Sequence, residues 1–249
     1  MNFLETMIEK AKRDKKTIVL PESYEIRVLK AASMILEKEL ANVILVGDEK
    51  KIKEVAGDLE LSKAKIINPE TYKGFEAFAD AFYEMRKKKG MTPEKARETM
   101  KDQLYFGVML VKMNEADGMV AGSVNSTANT LRPALQILRT APGTKLVSSF
   151  FVMDVPNCEY GIDGTFIFSD CGLVENPDAD QLSEIAISSS KTFRQLMDAD
   201  PVVAMLSYST YGSAKSELTE KVIEATKLTK QKAPDLMVDG ELQGDAALI

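Results

Sequence analysis

Gly118-Met119-Val120-Ala121-Gly122-Ser123-Val124-Asn125-Ser126-Thr127-Ala128-Asn129-Thr130-Leu131-Arg132-Pro133 holds the architecture of this chain in miniature. Residues 118–121 form a short apolar run that reads as a buried strand. Leu131, Leu135 and Leu138 recur at helical spacing. Between them lies a hydroxyl-rich turn, so a strand passes through the turn into a helix. The first N–H groups of a helix have no acceptor within it. With the aligned peptide dipoles they make a natural anion site, phosphate included. A cation early in a helix opposes that dipole, so Arg132 points to a negative ligand beside it. The alternative is that Ser126, Thr127 and Thr130 only cap the helix while Arg132 is solvated.

The same alternation runs outward in both directions. Residues 17–20 read as a strand stopped by Pro21, and 22–40 as a helix with Ile26, Leu29, Ala32, Ser33 and Leu36 on one face. Residues 43–46 and 64–67 are further apolar runs on either side of a short helix at 50–55. Helices are predicted at 75–88 and 93–113, the second capped by Thr92 with Pro93 at its first position. Ala141-Pro142-Gly143 marks a domain boundary, dividing 1–143 from 144–249. Beyond it come strands at 146–155 and 165–168, a helix at 179–197 and a strand at 202–206. A second hydroxyl-rich turn at 207–215, a charged helix reaching Lys232 and a strand at 236–238 complete the pattern. Uniformly apolar strands separated by helices predict mainly parallel sheets covered on both faces. The fold class is α/β, with two α/β/α units.

Composition narrows the chemistry. With 249 residues and 45% hydrophobic content the chain can bury a substantial core, and a net charge of -6 speaks against generic nucleic-acid binding. There is no histidine, which removes Ser-His and Cys-His nucleophile pairs and histidine-ligated metals. Cys158 and Cys171 fit neither a disulfide framework nor a zinc pattern. A reducing, cytoplasmic compartment is expected, with the thiols as small buried hydrophobes. Residues 1–16 lack the apolar core of a signal peptide, and no run reaches membrane-spanning length. The apolar end, Asp245-Ala246-Ala247-Leu248-Ile249, reads as a chain cut short or as an ordered terminal helix.

In α/β sheets ligands gather where strands turn into helices, and two such turns here are rich in hydroxyls. Neither has Walker spacing, and no Gly-x-Gly-x-x-Gly fingerprint occurs, so a non-nucleotide phosphate site fits better than an ATPase or a dehydrogenase. Arg86-Lys87-Lys88-Lys89-Gly90 is a cationic helix end. It suits the helix dipole and equally a large anionic substrate. Asp154, Glu159, Asp163, Asp170, Glu175 and Asp178 surround a Gly-rich loop, where turn and cap roles are expected over metal binding.

Residues 122–133, Asp163-Gly164-Thr165-Phe166, Phe168-Ser169-Asp170-Cys171-Gly172, Met205-Leu206-Ser207-Tyr208-Ser209-Thr210, Gly212-Ser213-Ala214-Lys215 and Asp239-Gly240-Glu241-Leu242-Gln243-Gly244-Asp245-Ala246-Ala247 occur in this order after Leu20-Pro21-Glu22. Together they resemble the phosphate acetyltransferase family. The resemblance implies reversible acetyl transfer between coenzyme A and inorganic phosphate, giving acetyl phosphate. It also implies an isocitrate/isopropylmalate dehydrogenase-like fold with the site in a cleft between domains, and a homodimer. No metal takes part in the chemical step, and coenzyme A enters as a substrate, not a resident cofactor. Arg86 and Arg132 would bind coenzyme A, with Arg132 as the catalytic anion contact. Ser123, Ser126, Thr127 and Thr130 would lie at the phosphate end, and Ser207, Ser209, Thr210, Gly212 and Ser213 would complete the substrate-binding set. In the family a Ser-Arg pair and an aspartate base lie beyond the position of Ile249; a polypeptide ending here is expected to be inactive alone. Phosphate butyryltransferase and a coenzyme A- or phosphate-binding module without catalysis are the alternative readings.

Overall fold

In a computed structural model, which describes residues 3–249, the chain divides into two units, Leu4–Arg139 and Thr140–Ile249. The division lies beside the Ala141-Pro142-Gly143 punctuation.

In the first unit β1 (Thr17–Leu20), β2 (Asn42–Val46), β3 (Lys65–Ile67) and β4 (Gly118–Met119) form a parallel sheet in the order β3-β2-β1-β4. Side chains alternate across a strand, and here both faces are apolar. Val19, Ile44, Val46 and Ile67 join Phe78, Phe82, Phe106 and Met109 on one side. Leu20, Val43 and Leu45 join Leu29, Ala32, Leu36 and Ile52 on the other. Helices on both faces are what such strands require. α1 (Phe3–Arg13) buries no residue, whereas α2 (Ile26–Glu37) and α3 (Glu49–Ala56) cover the second face. α4 (Phe75–Arg86), α5 (Pro93–Thr99), α6 (Gln103–Lys112) and α7 (Thr127–Ile137) supply the first.

Three expectations change here. The helix predicted at 22–40 starts only at Ile26, behind its N-cap Glu25, whose carboxylate accepts the Arg27 N–H. The predicted helix at 93–113 is two helices, because the Asp102 carboxylate accepts N–H bonds from Leu104 (2.9 Å) and Tyr105 (3.1 Å) and caps a new start. α6 then runs against the sheet so closely that a Cβ on Gly107 would sit 3.2 Å from Val19 Cγ1. The predicted buried strand at 118–121 ends at Met119, and Val120 is 64% exposed. The chain leaves the sheet there, and Gly122, at φ +107°, swings the next amides back toward the end of β1.

In the second unit β7 (Val202–Leu206) and β8 (Met237–Leu242) are parallel, while β5 (Phe150–Asp154) and β6 (Thr165–Ser169) are the antiparallel exception. The hairpin closes tightly: Gly164 has φ +84°, and a Cβ there would lie 2.1 Å from the Val155 carbonyl oxygen. β5 begins at Phe150, later than the predicted 146. α8 (Ala179–Met197) and α9 (Glu217–Lys232) match their predicted spans, each opened by a capping box, Asp178 with Gln181 and Ser216 with Thr219. Lys232 ties them together, donating to Asp180 (2.6 Å) and Glu184 (2.8 Å). Ala186, Met205, Ala225, Leu236 and Val238 form the core between them and the β7–β8 pair.

Candidate functional site

β1 ends at Leu20, and Glu22, just past Pro21, is only 1% exposed. Its carboxylate is the acceptor around which the turn after β4 is built. Oε2 accepts the N–H groups of Gly122 (2.8 Å) and Ser123 (2.7 Å). Oε1 accepts those of Val124 (3.0 Å) and Asn125 (2.9 Å), together with Asn125 Nδ2 (2.8 Å). On the same turn Arg27 donates to the Ser123 carbonyl at 3.0 Å. The amides of 122–125 are therefore occupied by the chain's own anion. Burial pushes the Glu22 carboxyl up, but the donors around it outweigh burial and hold it at about 2.

That value carries a stability consequence. The folded pKa of about 2 lies below the ordinary 4.5, so the stabilisation is complete above the ordinary value and is lost as pH falls through the folded one. Chemical denaturation followed by circular dichroism at a series of pH values checks this. The stability gap between the wild type and Glu22→Gln should narrow steadily from pH 4.5 toward 2; a constant gap would count against the assignment.

Past the nest the capping alternative accounts for part of the segment. The Ser126 hydroxyl accepts the Asn129 N–H at 3.3 Å, and Thr130 Oγ1 donates to the Ser126 carbonyl at 3.1 Å. The N–H groups of Thr127 and Ala128, in the first turn of α7, have no acceptor within the helix. Ser123, Ser126 and Thr127 are exposed.

Three helices bring together two cations far apart in sequence. Arg86 ends α4, ahead of the 3₁₀ turn Lys87–Lys89 and the left-handed Gly90. Arg132 lies on α7. Tyr105, on α6 between them, is half-buried and donates to Gln136 Oε1 at 3.2 Å. Burial raises the Tyr105 hydroxyl above its ordinary value, while the charges of Arg132 and Arg86 pull it down. Arg27, Arg97 and Arg194 have carboxylate partners in Glu25, Glu76 and Asp200. Among the described residues Arg86 and Arg132 have none. Arg132 has only a long contact with Asn129 Oδ1, 3.5 Å, and Arg86 Nε is buried without any partner. An unmet buried donor on a cation is costly, and an anionic ligand would satisfy it.

The second turn is likewise organised by a buried glutamate. Glu241 Oε1 accepts the Gly212 N–H at 2.7 Å and the Ser209 hydroxyl at 2.9 Å. The Gly212 amide, ahead of burial, draws the carboxyl below its ordinary value. Ser209 is 0% exposed and also accepts the Ala214 N–H, so it supports the turn from beneath. Thr210 exchanges hydrogen bonds with Gln243, and Ser207 Oγ accepts the Ser209 N–H. Gly212 and Ser213 are exposed. The predicted site residues thus fall into two groups, one in each unit.

Two of the acidic residues around the Gly-rich loop serve a turn and a cap. Asp170 accepts the N–H groups of Gly172 (2.7 Å), Leu173 (3.0 Å) and Val174 (3.0 Å) and the Ser149 hydroxyl (2.5 Å). Asp178 caps α8. Among the described residues no group of three or more His, Cys, Asp or Glu side chains is arranged to hold a metal ion, and no helix is long and apolar enough to cross a membrane. Cys158 and Cys171 are free and only half-buried, not the fully buried hydrophobes expected. Tyr105 and the role of Glu22 were not anticipated. The available signal was an acid two residues past a strand, after Pro21, at the carboxyl edge of a parallel sheet.

Residues 2–249 match the family model described as phosphate acetyl/butaryl transferase. The chain is 69% identical over 249 residues to a phosphate acetyltransferase of Acetivibrio thermocellus, covering all of this chain and 75% of that protein. It is 51% identical to a phosphate acetyltransferase of Thermoanaerobacterium thermosaccharolyticum, covering 76% of it. A crystal structure of a phosphotransacetylase from Streptococcus pyogenes superposes with a TM-score of 0.90 at 40% identity, over 99% of this chain and 74% of that one.

Proposed function

Because the chain belongs to the phosphate acetyl/butaryl transferase family, we propose that Arg86 and Arg132 receive the anionic groups of its acyl-transfer substrates. The reaction is reversible transfer of acetyl between coenzyme A and inorganic phosphate. In one direction the thiolate of coenzyme A attacks the acetyl carbonyl carbon of acetyl phosphate, the new C–S bond forms, the C–O bond breaks and phosphate leaves. In the other, a phosphate oxygen attacks the thioester and the thiolate leaves. Every participant carries phosphate, so the protein must hold anions in fixed positions.

The observation that carries this reading is the pair of carboxylate-free guanidiniums beside Tyr105, one with a buried unpartnered Nε. A guanidinium presents a planar fork that binds phosphate through two parallel bonds. Arg132 is the proposed catalytic contact, and Arg86 binds coenzyme A. Ser123, Ser126, Thr127 and Thr130, with the first amides of α7, take the phosphate side. Ser207, Thr210, Gly212 and Ser213 contribute the second substrate-binding turn, with Ser209 supporting it. Holding both reactants supplies proximity, and donors aimed at the leaving phosphate stabilise the charge that develops there.

Calorimetric titration of the chain with coenzyme A and with inorganic phosphate tests this. Saturable binding of both, weakened in the paired variant Arg86→Ala/Arg132→Ala, is expected; no binding of coenzyme A would overturn the reading. Phosphate-dependent release of coenzyme A from acetyl-CoA compared with butyryl-CoA separates the acetyl from the butyryl enzyme. Binding without release would favour the non-catalytic module.

A homodimer is proposed on the exposed aromatic face of the β5–β6 hairpin. Phe151 (57% exposed) and Phe168 (53% exposed) are cross-strand partners there, beside Met153 and Phe166. Such a face marks an interaction surface. Sedimentation velocity should give the mass of two chains in the wild type and of one in Phe151→Asp/Phe168→Asp; a wild-type monomer would overturn it. A cytoplasmic location is proposed because both cysteines are free thiols, as a reducing compartment keeps them.

A further inference from the structure

We propose that Glu22 is a positioning residue for phosphate, an internal anion that fixes the turn between β4 and α7 so that the remaining donors face the substrate. The inference rests on reading that turn as the phosphate side of the site.

Successive backbone amides converge on one anion only in a curved, nest-like backbone. Here Gly122 to Asn125 form that curve, and the acceptor comes from the chain itself. Glu22 is buried, so the turn has its shape before a ligand arrives. Asn125, the last donor, directly precedes Ser126, the N-cap of α7. The same bonds therefore set where α7 starts. They set where the amides of Thr127 and Ala128 point, and the position of Arg132 further along the helix. Arg27 holds the turn at a second point through the Ser123 carbonyl.

The arrangement demands a carboxylate. Oε1 receives Val124 N, Asn125 N and Asn125 Nδ2, and Oε2 receives Gly122 N and Ser123 N. Glutamine has nearly the same shape, but whichever way its amide turns, an NH₂ group faces at least two donors. Those donors must then move apart, and the start of α7 moves with them.

Amide NMR of the full chain, titrated with inorganic phosphate, tests the role. In the wild type, phosphate should shift the amides of Thr127 and Ala128 while those of 122–125 stay protected from exchange. In Glu22→Gln the Kd for phosphate should rise about tenfold to a hundredfold, the loss typical when groups supporting a bound ion's ligands are removed. In Glu22→Ala, formate should restore protection at 122–125 and with it phosphate affinity, because its two oxygens offer the same acceptors; chloride at equal ionic strength should not. Equal phosphate affinity in wild type and Glu22→Gln would overturn the positioning role alone. So would formate that restores folding or stability without restoring the phosphate shifts, and this result decides the matter even if the variants do not fold unaided. No phosphate shift at Thr127 and Ala128 in the wild type would overturn the reading of the turn, and the inference with it.

Discussion

Replacing Arg132 by alanine is expected to weaken coenzyme A binding by about tenfold to a hundredfold, since a hydrogen bond to a charged group contributes roughly 1.5–3 kcal/mol. The geometry behind this is specific. Arg132 has no carboxylate partner among the described residues, and its one polar contact, with Asn129, is long at 3.5 Å. Removing it therefore breaks little in the free protein, and the loss falls on the bound state. Arg132→Lys should lie between wild type and alanine, because lysine keeps the charge but not the planar fork. Calorimetry reads the Kd for coenzyme A, and the Michaelis constant should move the same way. An alanine variant that binds as the wild type does would remove Arg132 from the site. An alanine variant that unfolds more readily but binds equally well would mean that the side chain supports α7 instead.

Phe106→Ala should have the largest effect on stability, a loss of about 3–5 kcal/mol for a large aromatic removed from a core. Phe106 is fully buried on α6, with ring centroids 5.4 Å from Tyr72 at 88° and 5.3 Å from Phe78 at 43°. The cluster joins three segments that meet only in the folded unit. Tyr105, its neighbour in sequence, feels the charges of Arg86 and Arg132 and donates to Gln136. A cavity at Phe106 should therefore loosen the helix that carries Tyr105. Denaturant unfolding monitored by circular dichroism measures the loss; a change below about 1 kcal/mol would mean the cluster closes over the gap. Coenzyme A affinity should fall less than in Arg132→Ala, since no group in contact with the ligand is removed.

Much of this molecule was legible from local pattern. Apolar runs such as Val43-Ile44-Leu45-Val46, apolar on both faces, can only belong to a strand covered on both sides. Asp178 and Ser216 mark the starts of α8 and α9, because a helix start needs acceptors for its free amides. The failures share one cause. Asp102 splits a predicted single helix by a side-chain bond that hydrophobic spacing does not register. Val120 has the composition of a buried strand residue but makes the last bond to β1, through its N–H to the Val19 carbonyl, with its side chain exposed. The β5–β6 pair is antiparallel because of how its connection folds, which strand composition does not encode.

The family resemblance singled out Arg86, while the sequence by itself determined the α/β class, the two hydroxyl-rich turns and Arg132 as a cation to watch. Each of these is a property of neighbours along the chain: periodicity, capping and turn chemistry. Tertiary structure alone decided what the first turn does with its amides. Glu22 lies about a hundred residues before that turn, and only the parallel pairing of β1 with β4 brings its carboxylate to Gly122 and the residues after it. One anion at that turn is thus supplied from within the chain. The proposed site accordingly draws on the start of α7 and on Arg86 and Arg132, whose charges both act on the Tyr105 hydroxyl.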